Sequence, residues 1–166
     1  MGAGDGSLGI RLARWAARQG WDWRFTNLDL NPHALRLNSH NRNLAGSVLA
    51  LPFRDASFDA VIASQMTHHL FSNAELIQHF REAWRVTRDA LVLSDLHRNA
   101  CLYGLVWFWV HALGFSANLR GDGLLSVRRG FRVPEWRRLA QQAGILHGHA
   151  WLYLGARIML DACKED

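Results

Sequence analysis

Gly2-Ala3-Gly4-Asp5-Gly6-Ser7-Leu8-Gly9 runs straight into a helical pattern, and a carboxylate, Asp29, ends the strand-like segment that follows. Glycine lets a backbone turn tightly and approach a ligand closely. A helix N-terminus offers free N–H groups and the positive end of a dipole, which suits an anionic or carboxylate group. A carboxylate at a strand end can accept hydrogen bonds from both hydroxyls of a ribose. Loop and acid together therefore predict a nucleoside-cofactor site at the C-terminal ends of the strands of an open α/β sheet. The competing reading is a tight turn and a capping Asp, since Asp29-Leu30-Asn31-Pro32 also suits a helix start.

Outward from that stretch the pattern alternates. Leu8, Leu12, Trp15 and Ala16 share one face of a helix from Ser7 to about Gln19, opposite Arg11, Arg14 and Arg18, and Gly20 stops it. Residues 23–30 read as a strand, and Pro32-His33 opens a helix to about Asn41. Residues 47–49 read as a short strand and 52–57 as a loop. Phe58–Ser64 reads as a buried strand, Asn73 caps a helix to about Thr87, and Ala90–Asp95 is a further apolar strand. Ala100–Gly114 looks helical, Arg120–Phe131 looks like a Gly/Arg-rich loop, and Pro134–Ala143 is a helix stopped by Gly144. Ile145–Leu154 and Arg157–Ala162 end the chain as a hairpin around Gly155. Strands alternating with helices, several of them apolar throughout, predict one α/β domain with a mainly parallel sheet and an antiparallel C-terminal hairpin.

The chain has 166 residues, 49% hydrophobic and 20% charged, which fits one globular domain and argues against wholesale disorder. Cys101 and Cys163 cannot build a disulfide framework, and no apolar leader precedes the glycines, so a reducing, cytoplasmic location is expected. The longest apolar run, Cys101–Phe115, is shorter than the roughly 20 residues of a membrane span, so no stable membrane insertion is expected. The formal charge is +5, and 18 of the 19 basic residues are arginine. Seven of these lie between residues 98 and 138, against only Asp122 and Glu135, so that segment favours an anionic ligand or is a solvated face.

Two cofactors fit the glycines. Gly4-x-Gly6-x-x-Gly9, with Asp29 twenty residues on, matches the dinucleotide fingerprint, and Gly2-x-Gly4-x-Gly6 equally matches the loop of S-adenosylmethionine enzymes. A complete dinucleotide site needs a second nucleotide-binding half, and the rest of the chain does not read as one.

The glycine stretch, Asp29, the run Leu51-Pro52-Phe53-Arg54-Asp55-Ala56-Ser57-Phe58-Asp59-Ala60-Val61, and His68-His69-Leu70 together resemble a class I S-adenosylmethionine-dependent methyltransferase. The "LPF-x-D-x-SFD-x-V" run resembles the branch containing the ubiquinone- and menaquinone-biosynthesis methyltransferases. The resemblance covers residues 1–96 by motif and 134–163 by architecture. It implies a Rossmann-like, seven-stranded sheet and methyl transfer to a small, aromatic or lipophilic molecule. It also implies that Gly2, Ala3, Gly4, Asp5 and Gly6 pass beneath the cofactor, that Asp29 holds its ribose, and that Leu30 lies against its adenine. Ser47 and Val48 would stand near the adenine amino group, and Ser64 and Gln65 beside the sulfonium. Where the family often carries an acid after the third strand, this chain has Ser47. The family's first strand precedes the glycine loop, so the resemblance implies that this strand is missing from the chain as given.

Methyl transfer asks mostly for alignment and exclusion of water, although an acceptor proton can need a base. The candidates are His68, His69, Asp95 and His97, at the ends of the strands Phe58–Ser64 and Ala90–Asp95, each with a packing or capping role as the alternative. A Trp-rich lid insertion at about 98–133 would carry Trp107, Arg128 and Arg129 toward substrate, or be core and solvated surface. No metal ligand set and no nucleic-acid motif stand out. The rival functions are a non-catalytic or truncated methyltransferase-fold binding subunit and a nicotinamide-dependent oxidoreductase fragment. The acceptor atom and the oligomeric state are not legible.

Overall fold

A computed structural model describes residues 1–37 and 42–164. Helix α1 (Ser7–Arg18) precedes β1 (Thr26–Asp29), α2 (Pro32–Leu35) and β2 (Arg42–Ala45). Strand β3 (Phe58–Ser64), a 3-10 turn (Thr67–His69), α3 (Asn73–Val86) and β4 (Thr87–Leu96) follow. Helices α4 (Ala100–Ala112), α5 (Ala117–Arg129) and α6 (Val133–Gln142) then lead to β5 (His149–Tyr153) and β6 (Arg157–Cys163).

β1 and β2 pair in parallel, and a second sheet has the order β3-β4-β6-β5. β3 and β4 are parallel, whereas β6 runs antiparallel to both β4 and β5. The expected α/β architecture, with parallel strands followed by an antiparallel hairpin, is what the chain forms. Among the described residues the two sheets are joined by the opening of the chain. Ala3 N–H donates to Leu28 O at the end of β1 (3.0 Å), and Met1 N donates to Ile62 O on β3 (2.7 Å).

The core lies between the four-stranded sheet and α3 with α6. Phe80, Leu91, Leu93, Trp136, Ile158 and Leu160 are fully buried there. Phe80 meets Trp136 edge-on at 5.5 Å, a favoured aromatic geometry. These two helices supply apolar faces at helical spacing and bury Leu91 and Leu93 of β4, while Ala90 and Val92 on its other face are half-buried.

Several boundaries differ from the sequence reading. Residues 47–49 form no strand, because Ser47 Oγ accepts the Leu49 N–H in a local turn and the strand lies earlier, at Arg42–Ala45. The cap of α3 is Ser72: its hydroxyl accepts the Glu75 N–H while the Glu75 carboxylate accepts the Ser72 N–H. The stretch 120–131 is largely helix α5, capped by Ser116 despite its two interior glycines. Strands β1 and β5 are shorter than the apolar runs that announced them. Of the helix expected to reach Asn41, Pro32–Leu35 is present, and residues 38–41 lie outside the described residues.

Candidate active site

The glycine loop carries the conformations that glycine permits. Gly2, Gly4 and Gly6 have φ values of 60°, 54° and 74°. A Cβ on Gly2 would sit 2.5 Å from the Cβ of Met66, whereas the space beside Gly4 is open. The loop passes the C-terminal end of β1, where Asp29 Oδ2 accepts the Gly4 N–H at 2.7 Å. Asp29 Oδ1 accepts the Asn31 N–H at 2.9 Å in a local turn, and the helix cap weighed for Asp29 is instead Asn31, whose Oδ1 accepts the His33 N–H at 3.0 Å. A carboxylate offers about four acceptor positions, so two such bonds leave capacity for a ligand. Asp5 Oδ1 accepts the Ser7 N–H at 3.0 Å, and this bond holds its carboxyl below the usual range. Leu30 stands largely exposed beyond Asp29 and Val48 is buried.

Across from the loop, β3 ends in Ser64, and Gln65 has a φ of 55°. A left-handed backbone on a residue with a side chain is strained, and such strain gathers at functional positions. Gln65 N–H donates to Ser94 O at 2.8 Å, which fixes that turn to β4. Ser64 Oγ accepts from Arg157 at 2.9 Å, and the same guanidinium donates to Ser94 Oγ at 3.1 Å. Arg157, at the start of β6, thus ties three strand ends together. Sequence reasoning missed it; the only signal was an arginine opening a strand directly after the hairpin turn.

His68 and Asp95 meet. Asp95 is fully buried at the end of β4, and His68 is buried in the 3-10 turn after β3. His68 Nδ1 lies 2.7 Å from Asp95 Oδ1. Asp95 also accepts the His68 N–H at 3.0 Å and the Leu96 N–H at 2.7 Å. An acceptor held by two backbone N–H groups fixes Nδ1 as the protonated nitrogen and leaves Nε2 as the basic one. The His69 ring lies 4.2 Å from that of His68. Its pKa is lowered, first by burial and then by the neighbouring His68 and by Arg129, with Asp95 opposing.

The expected substrate residues divide. Arg129 lies over the Phe71 ring at 4.8 Å, close behind the 3-10 turn. Arg128 instead donates to Tyr103 Oη at 3.1 Å and lines a cleft of about 670 Å³ between α4 and α5 with Asp122. Trp107 is half-exposed on α4 and packs on His111 at 4.7 Å. Neither Trp107 nor Arg128 joins the His68–Asp95 group. A larger cleft of about 830 Å³ runs beneath the loop between β1 and β3, lined by Ala3, Asn27, Phe53, Val61 and Val86 among others. Among the described residues no group of His, Cys, Asp and Glu is placed to hold a metal ion.

A family model described as a methyltransferase domain matches residues 1–92. No curated protein sequence matches the chain. Among solved structures it is similar to a SAM-dependent methyltransferase from Methanosarcina mazei (TM-score 0.67, 17% identity), over 98% of this chain and 89% of that one. It is also similar to human N-acetylserotonin methyltransferase in complex with SAM (TM-score 0.68, 11% identity, 100% of this chain and 46% of that one). A third is a protein from Nostoc punctiforme PCC 73102 (TM-score 0.67, 16% identity, 98% of this chain and 50% of that one). The chain thus spans about half the length of the latter two. At these identities the likeness is one of fold.

Proposed function

The chain belongs to the methyltransferase-domain family, and on that premise we propose that it methylates a small aromatic or lipophilic molecule with S-adenosylmethionine as donor. Of the two cofactors the glycine spacing admits, family membership selects this one over a dinucleotide. The residues present fit it: a left-handed glycine loop, open space beside Gly4, and the Asp29 carboxylate against the Gly4 N–H. When bound, S-adenosylmethionine supplies a methyl group already activated on a sulfonium.

The remaining work falls to the chain itself. Gly2, Ala3, Gly4, Asp5 and Gly6 shape the floor, and Asp29 offers its free lone pairs to ribose hydroxyls. Leu30, Ser47 and Val48 line the adenine end, with Ser47 giving a neutral acceptor where a charged one would bind more tightly. Ser64 and Gln65 face the transfer end. His68 removes the acceptor's proton at Nε2, and Asp95 is a positioning residue that holds the ring through Nδ1. His69 lies against His68, and burial favours its neutral form. Of the three residues expected at the substrate, Arg129 on α5 stands nearest this end, over Phe71 behind the 3-10 turn, while Trp107 and Arg128 lie away from it along α4 and α5.

The observation that carries this reading is the contact of the glycine loop with Asp29 beside the His68–Asp95 pair. Isothermal titration with S-adenosylhomocysteine tests it. Saturable binding is expected, weakened at least about tenfold by Asp29→Ala through loss of a charged acceptor. Binding of NADH in place of S-adenosylhomocysteine would overturn the reading.

A further inference from the structure

We infer that the α4–α5 hairpin is a docking surface for the interface of an anionic lipid bilayer. A helix that is apolar all round normally belongs in a core. Helix α4, Ala-Cys-Leu-Tyr-Gly-Leu-Val-Trp-Phe-Trp-Val-His-Ala, has no charged side chain, yet none of its residues is buried. Leu105, Trp107, Phe108 and Trp109 are each at least half exposed, and Leu113 and Leu119 extend the same apolar surface into α5. Contiguous apolar surface on this scale marks an interaction site.

Charge and composition choose the occupant. Trp and Tyr settle where an apolar medium meets water, because their rings are apolar and their edges polar. Beside them stand Arg128 and Arg129, both exposed. Their partners are the Tyr103 and Phe71 rings, and among the described residues no acid pairs with either guanidinium, which leaves both for phosphate. The hairpin itself carries one acid, Asp122, against three arginines. At about 1.5 Å per residue, thirteen residues of helix reach about 20 Å, short of the roughly 30 Å apolar layer of a bilayer. No described helix is long and apolar enough to cross a membrane. The hairpin therefore lies in the interface plane, aromatic side chains in the headgroup region and arginines on anionic lipid. Because α5 packs against the 3-10 turn that bears His68, docking would turn that end of the sheet toward the lipid.

Density-gradient flotation of the whole chain tests the inference without reference to methyl transfer. Vesicles of phosphatidylcholine with about 30% phosphatidylglycerol are compared with phosphatidylcholine alone. The chain is expected to float with the anionic vesicles at least about tenfold better, and to lose most of that at about 0.5 M salt. The double variant Phe108→Ser/Trp109→Ser is expected to stay at the bottom while keeping its circular dichroism and urea midpoint, since both side chains are exposed. Failure of the parent to float, equal flotation with both vesicles, or flotation of the double variant would each overturn the inference. A dimer in sedimentation velocity that the double variant abolishes, without lipid binding by the parent, would assign the surface to a second copy instead.

Discussion

His79 on α3 is fully buried, and among the described residues neither ring nitrogen has a hydrogen-bond partner. Burial, helped by the nearby N-terminal amino group and opposed by Asp95, lowers its pKa to about 4 from an ordinary 6.5. The folded chain therefore keeps this imidazole neutral, while the unfolded chain takes up a proton near pH 6.5. Stability from the neutral ring is fully present above that value and is lost as pH falls toward about 4. Each pKa unit of difference is about 1.36 kcal/mol, so the whole window is worth about 3 kcal/mol. Urea denaturation between about pH 7.5 and 4.5 reads it directly. His79→Leu removes the proton acceptor and two unpaired polar atoms while still filling the site. It is expected to flatten the acid limb by that amount and to gain about 1 kcal/mol at neutral pH. The difference between parent and variant isolates this ring from other groups that titrate in the range. Parallel loss of stability in the two proteins, with no difference in slope, would refute the reasoning.

Further outcomes follow from the same contacts. Gly2→Ala places a Cβ 2.5 Å from Met66 at a φ of 60°, and is expected to lower the urea stability by about 2 kcal/mol and to weaken S-adenosylhomocysteine in titration calorimetry. Asp95→Asn keeps the shape but loses the charge that orients His68. Steady-state kinetics is expected to show kcat down by about 10² to 10⁴ with the KM for cofactor little changed, and an unchanged kcat would remove His68 as base. Glu82 accepts the Leu51 N–H at 2.7 Å and pairs with Arg85, which also holds Leu51 O and Phe53 O. Glu82→Ala leaves the Leu51 N–H and the Arg85 Nε–H unpaired while Arg85 keeps Asp55, so its urea midpoint is expected to fall by the equivalent of about 2 kcal/mol.

The sequence showed most clearly what depends on local chemistry. The glycine loop, the α1 stop at Gly20, the strand Phe58–Ser64 and the Gly155 hairpin were legible because φ requirements and apolar runs are local, although of that strand only Val61 and Ala63 are buried. The His68–Asp95 pair was legible only as two candidates, since its contact spans 27 residues and depends on β3 lying beside β4. Arg157 was hidden for the same reason, its two serine partners lying 63 and 93 residues away. Helix α5 was missed because Gly121 and Gly123 read as loop, while the Ser116 cap and packing against α4 outweigh their propensity cost. The strand at Arg42–Ala45 was missed because Arg-Asn-Leu-Ala carries little apolar pattern, and pairing with β1 supplies its register.

The central claim is that the glycine loop and Asp29 grip one sulfonium nucleoside. It is tested most directly by ¹H–¹⁵N NMR of the chain titrated with S-adenosylhomocysteine. The account predicts saturable shifts at the Gly4, Asn31 and Gln65 amides, lost in Asp29→Ala. Shifts confined to residues elsewhere, with these three amides unmoved at saturation, would contradict it.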